Sequence, residues 1–174
     1  MLQHLLYDYI KIESRLFYMS NDSIIQMWED YRKVNPNAPK DYVAWAFGDS
    51  KQMADELANL VLDGKKTATS SNYTLYELDN EELPHVGLHN IILDGDGQAV
   101  AIVETTSVNV VPFDEVTTEH AYLEGEGDRT LNYWREVHHA FFEKEFNHIN
   151  KEFDYKILVV CERFKLIYST KIEE

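Results

Sequence analysis

The sequence predicts an α+β domain in which a small curved or closed antiparallel sheet carries helices on its outside. Three observations predict it. Apolar spacing is helical in the first third of the chain and gives way to β-branched, strand-like runs in the middle. The elements run helix, helix, strands, helix, strand, with no regular βαβ alternation, which argues against a doubly wound parallel sheet. No repeat or low-complexity linker divides the 174 residues, a length that suits one domain.

Taken in order, residues 1–18 mix aromatic and charged side chains. They lack the basic start, apolar centre and small-residue cleavage site of a secretory signal. Met19 precedes Ser20, Asn21, Asp22 and Ser23, which read as a helix-capping cluster. The expected division is therefore a tail over residues 1–18, upstream of the true start, and a single domain over residues 19–174. From 23 to 34, Ile24, Met27, Trp28 and Tyr31 recur at helical spacing, and the two prolines of residues 35–40 end that helix. Trp45, Phe47, Gly48 and Asp49 read as an aromatic turn. Ser50 then caps a second helix with Met53, Leu57, Leu60 and Val61 on one face, and Gly64 fits its stop position.

Residues 91–93 read as a short strand, and Asp94-Gly95-Asp96-Gly97 is a strong turn signal. Residues 99–111 are rich in β-branched side chains and predict a long, bent strand closed by Pro112. A short helix is expected over 117–124. Leu131, Trp134, Val137, Phe141 and Phe142 give a longer one over 130–146. Residues 155–168 form the last strand or hairpin arm.

The composition excludes several classes. The net charge of −15 argues against tracking along a nucleic-acid backbone, so DNA is not an expected partner, although a small basic pocket for one nucleoside or a strand end is still compatible. No apolar run approaches the roughly 20 residues that cross a bilayer, so no membrane partner is expected. The single cysteine, Cys161, forbids an intrachain disulfide and fits a reducing, cytoplasmic setting; its place in the apolar run 156–161 reads as core. The pair His138-His139 points about 100° apart on a helix, and no HExxH or paired CxxC exists, so no metal is expected. Dinucleotide and P-loop glycine patterns are absent, and no cofactor is expected.

Two segments could carry chemistry. In residues 64–71, a glycine, two lysines and four hydroxyl residues stand together in a chain dominated by acids. Either they take an anionic or polar ligand, with a desolvated lysine activating a hydroxyl, or they are a helix end with dipole-complementing lysines followed by a Thr/Ser-rich strand. Residues 124–129 alternate acids and glycines before Arg129. They bring carboxylates and amides to a ligand, or they form an acidic surface turn.

Gly64-Lys65-Lys66-Thr67-Ala68-Thr69 resembles the G-x-K-x-x-T signature of ASCH domains. The resemblance runs over residues 42–168 and takes in Pro84-His85-Val86-Gly87, Val103-Glu104-Thr105-Thr106, residues 124–128, Trp134-Arg135 with His138, and Glu162-Arg163-Phe164. The chain is similar to the longer bacterial branch of that family. The resemblance implies a PUA-like fold, a small β-barrel with flanking helices and a cleft beside the lysine loop. It also implies one of two activities. A compact bacterial group hydrolyses the amide of N4-acetylcytidine with a lysine, a threonine three residues later and a glutamate after the central strands, which correspond to Lys66, Thr69 and Glu124. Where that group's motif runs on to an arginine, this chain has Ser71. Another member cleaves RNA with the same lysine.

In the hydrolase scheme Thr69 attacks the carbonyl carbon, a neutral Lys66 takes its proton, and Glu124 orients the lysine or passes the proton on. Alternatively, Lys66 stabilises the oxyanion. Substrate would be held by Lys65, Thr67, Ser71 and Tyr73 from the first stretch. From the second it would meet Glu126, Asp128, Arg129, Trp134 and His138. The rival is a non-catalytic module that binds single-stranded RNA or a modified nucleotide, stacking bases on Trp45, Tyr73 or Trp134. A protein-interaction domain with a vestigial pocket is the third reading. The oligomeric state stays open.

Overall fold

The computed structural model describes residues 22–169, so the expectations for residues 1–18 and for Ser20 and Asn21 lie outside the described residues. Helix α1 (Asp22–Val34) buries Ile24, Met27, Trp28 and Tyr31, the stripe its spacing predicts. Strand β1 (Val43–Ala46) follows. It includes Trp45, so the expected aromatic turn begins only after Ala46. Helix α2 (Lys51–Leu62) starts at Ser50, whose hydroxyl accepts from Met53 N, and ends before Gly64, which takes a left-handed φ of +68°. Strand β2 (Ala68–Asn72) runs directly into helix α3 (Tyr73–Asp79).

Strands β3 (His89–Leu93) and β4 (Ala99–Pro112) form a hairpin. In its turn Asp94 Oδ1 accepts from the amides of Asp96 and Gln98, which is why this acidic Gly-rich tetrad turns so sharply. A 3₁₀ turn (Phe113–Glu115) leads to helices α4 (Thr118–Glu124) and α5 (Leu131–His148), then strand β5 (Leu158–Ser169). Thr117 and Thr130 cap α4 and α5 by accepting from His120 N and Tyr133 N.

The five strands form one curled half-barrel in the order β1-β3-β4-β5-β2, with the α+β, PUA-like architecture that the resemblance implied. Three of the four pairings are antiparallel; β1 joins β3 in parallel. The register between β4 and β5 shifts at Ile102/Val103 and again at Thr105/Ser107, and such bulges bend a long strand as its length required.

Both faces of the sheet are covered. Ile91 and Leu93 meet α1, while Ile92 between them meets Ala58 and Val61 of α2. A third cluster joins Phe113, Trp134 and Phe142 to Val159 and Cys161, seating α4 and α5 against the start of β5. Cys161 is a core thiol as expected, pushed up to about 12 by burial. Among the described residues no helix is long and apolar enough to cross a membrane.

Candidate functional site

At the end of α2 the chain folds back over the helix, with the amides of Lys65 and Lys66 both donating to Leu60 O at 2.9 and 3.0 Å. The reversal separates the two lysines. Lys65 stays exposed and pairs with Asp63 at 3.6 Å, whereas Lys66 turns inward and is 1% exposed.

The second segment docks onto this reversal. Thr67 N donates to Leu123 O at 2.8 Å, and Gly125 ends α4 with φ +77°. A β-carbon at Gly125 would lie 2.5 Å from Lys65 O and 3.0 Å from Lys66 N, so only glycine lets the two backbones approach. Arg129 fastens the loop, donating to Tyr122 O at 3.0 Å and Lys65 O at 3.5 Å, with its guanidinium 3.7 Å from the Tyr122 ring.

This docking places Glu124, also 1% exposed, against Lys66. The ammonium donates to Glu124 Oε2 at 3.2 Å and to Glu126 Oε1 at 2.7 Å, and lies 5.1 Å from the Phe47 ring. The other carboxylate oxygen, Glu124 Oε1, accepts from Ser70 Oγ at 2.5 Å and Trp134 Nε1 at 2.7 Å, with His120 Nε2 at 3.2 Å. His138 Nε2 stands 3.6 Å from Oε2; its ring stacks on Trp134 and its Nδ1 donates to Trp134 O at 3.0 Å.

Burial alone would raise the Glu124 pKa, but the charges of Lys66 and His138 and the surrounding donors outweigh it and hold the carboxyl well below its ordinary range. Burial alone would likewise lower Lys66, but Glu124 and Glu126 outweigh it and raise its pKa. With its pKa raised by two carboxylates, Lys66 fits the electrostatic role that the sequence also offered it better than that of a neutral base.

A model of the ASCH domain matches residues 43–168, which is most of the chain. This protein belongs to the ASCH domain family. The domain is similar to the crystal structure of an ASCH domain from Lactobacillus crispatus, at 31% identity, covering 85% of this chain and 96% of that one with a TM-score of 0.77. It is also similar to the structure of a protein from Enterococcus faecalis, at 35% identity over 83% of this chain and 88% of that one, again with a TM-score of 0.77. A search of the curated proteins finds none that matches.

Within this ASCH domain the expected site residues divide. Lys66, Glu124, Glu126, Trp134 and His138 converge, although Trp134 is buried beneath Glu124 and presents no free face for a base. Thr69 makes no hydrogen bond to Lys66 or Glu124. It stands opposite Glu162 across β5, and strand alternation turns its side chain to the face away from Ser70. Thr67 Oγ1 bonds Leu123 O at 3.4 Å, Ser71 Oγ meets Tyr76 OH at 3.0 Å, and Asp128 accepts from Thr130 N at 2.9 Å. Tyr73 lines a shallow groove beside α3, away from the lysine. Lys65 and Arg129 hold the loop's frame rather than the cluster.

Two residues of the cluster were not singled out from sequence, Ser70 and His120. A signal for the second existed, since His120 lies four residues before Glu124 and shares its helix face. Among the described residues no group of His, Cys, Asp and Glu side chains is arranged to hold a metal.

A second buried carboxyl lies on the other face of β5. Glu162 Oε1 accepts from Thr105 Oγ1 at 2.5 Å, Thr105 Oγ1 accepts from Asn90 Nδ2 at 3.1 Å, and Asn90 Oδ1 accepts from Trp45 Nε1 at 3.0 Å. Among the described residues no cation pairs with Glu162, and burial raises its pKa against the lowering effect of the Thr105 bond.

Proposed function

We propose that this ASCH domain is a hydrolase that cleaves a small amide, that of an acylated nucleoside such as N4-acetylcytidine, with the Lys66–Glu124 pair at its chemical centre. The observation that carries the reading is the enclosure of a charged lysine against a carboxylate that collects donors from β2, α4 and α5. Withdrawing two ions from water costs several kcal/mol each, and an apolar pair of the same volume would hold the fold as well. Ionisable groups shifted by burial together with specific charge partners are candidates for a functional site.

In this reading Lys66 is a fixed positive charge. It keeps Glu124 ionised and presents its field to the negative charge that builds on an amide oxygen under attack. A hydroxyl of β2 meets the carbonyl carbon, and water completes the cleavage to acid and amine. A module that binds single-stranded RNA is less well supported on one count: Lys66 and Trp134 are withdrawn from solvent, while Lys65, Trp45 and Tyr73 keep part of their exposure. Incubation of the purified chain with N4-acetylcytidine, followed by chromatography, tests the proposal. Release of cytidine that is lost in Lys66→Met, with the variant still folded by circular dichroism, supports it. No release from any acylated nucleoside, or release unchanged in Lys66→Met, ends it.

A further inference from the structure

We propose that Ser70 is the acyl-accepting nucleophile, that His120 is its base, and that a short acyl chain sits in the pocket between α4 and the β4–β5 sheet. The inference deepens the hydrolase reading and rests on it for the leaving group. It comes from a cavity that the Lys66–Glu124 geometry does not use. A pocket of about 160 Å³ is lined by Asn109, Val111, Val116, His120, Cys161 and Arg163, among others. Its lining includes two residues that meet Ser70 from other elements. Cys161 is its register partner across β5, and His120 Nε2 lies 3.0 Å from its Oγ.

Ser70 is half-buried where Lys66 and Glu124 are enclosed, and it shares a hydrogen bond with His120, which lines the pocket. The pocket's size selects its occupant. Sites that enclose drug-sized ligands measure about 300–1,000 Å³, so this one takes a few carbon atoms and leaves a base and sugar outside. Val111, Val116 and Cys161 suit the methyl end of an acyl group. Asn109 and Arg163, the latter paired with Glu119 at 2.9 Å, supply polar groups for the part that stays outside.

The Ser70 hydroxyl donates to Glu124 Oε1 at 2.5 Å and shares a 3.0 Å hydrogen bond with His120 Nε2, whose direction follows the ring tautomer. With the ring proton on Nδ1 and the hydroxyl turned to His120, Nε2 takes the proton as Oγ attacks. The new imidazolium then lies 3.2 Å from the Glu124 carboxylate, which stabilises it. The Oγ–C bond forms, the C–N bond breaks, and the proton passes from His120 to the departing nitrogen. Water attacks the resulting ester, gives one proton to His120, and releases the acid while that proton returns to Oγ.

The experiment uses the full chain and p-nitrophenyl esters. With the acetyl ester we expect a burst of nitrophenol and, after acid quench, one acetyl group on the peptide that holds Ser70. Ser70→Ala should lose both, and His120→Ala should slow the burst by about 10²-fold or more. Acylation should fall off from acetyl to decanoyl esters as the chain outgrows the pocket. Acetyl found on Thr69 or another residue of the untouched chain overturns the inference whatever the variants do, and so do equal rates for acetyl and decanoyl esters. Acetylated Ser70 without cytidine release from N4-acetylcytidine removes the nucleoside reading and leaves this one. Cytidine release by folded Ser70→Ala at the wild-type rate does the reverse.

Discussion

Glu124 and Glu162 are both carboxyl groups withdrawn from water, yet their surroundings shift them in opposite directions, the first down and the second up. The first faces an ammonium, two imidazoles, an indole N–H and a hydroxyl. The second has one hydroxyl and, among the described residues, no cation. Depth is similar at the two places, so the partners decide the sign. The difference teaches where this fold has invested its charge compensation: at the edge strand β2 and the loop after α4.

The largest test of that contrast is Lys66→Met, which strips Glu124 of its counter-ion. Loss of about 3–5 kcal/mol in urea unfolding is expected, because an uncompensated buried charge is left behind. Lys66→Met combined with Glu124→Gln should cost less than the sum of the two. If Lys66→Met proves no more harmful than Glu162→Gln, the two carboxyl groups are equivalent after all.

Next in size is Gly125→Ala. The left-handed backbone contributes about 1–3 kcal/mol of strain, and the collision with Lys65 O adds to it. Gly64→Ala has a similar φ but open space around the new methyl, so thermal melts should show the smaller loss there, about 1 kcal/mol.

Acid titration separates the carboxyl groups by sign. The depressed Glu124 adds stability that is present above the unfolded-state value of about 4.3 and is lost as pH falls through its lower folded value. The raised Glu162 does the opposite, costing stability above its folded value and ceasing to cost it as pH falls toward the unfolded one. Glu162→Gln should therefore be modestly more stable than wild type at pH 7, with the gain vanishing below about pH 4. A gain that persists unchanged at pH 3 contradicts this.

The smallest effect is read at Cys161, whose thiol is raised to about 12 by burial first and by the Glu124 charge second. Alkylation by iodoacetamide should be slow in the native chain and quicken in Glu124→Gln, while Glu162→Gln leaves it unchanged.

Much of this arrangement was legible in the sequence because it rests on local rules. Ser50, Gly64 and the Asp94–Gly97 turn act within a few residues of themselves, and the lysine and the acid–glycine loop stood out as odd against their surroundings. What escaped depends on partners far along the chain. β1 has no signal of its own, and of its residues only Trp45 falls in the expected turn, because its four residues are half-buried and gain their strand character from parallel partners 47 positions on, Val43 opposite Asn90. Helix α3 buries none of its residues, so it has no apolar stripe to betray it. All five residues of β3 are buried because both faces are covered, which erases alternation. Ser70 rather than Thr69 reaches Glu124 because a strand changes face with every residue, and the motif's spacing does not say which face the acid will approach.

Among the described residues strand β2 has one neighbour in the sheet, β5, which follows every other strand in the sequence. During synthesis the segment bearing Lys66 thus leaves the ribosome long before anything can receive it, and Glu124 follows 58 positions later, still ahead of β5. The pair joins segments far apart in the chain, and the strand that carries Ser70 is held in the sheet by β5, so the cluster is a high-contact-order feature.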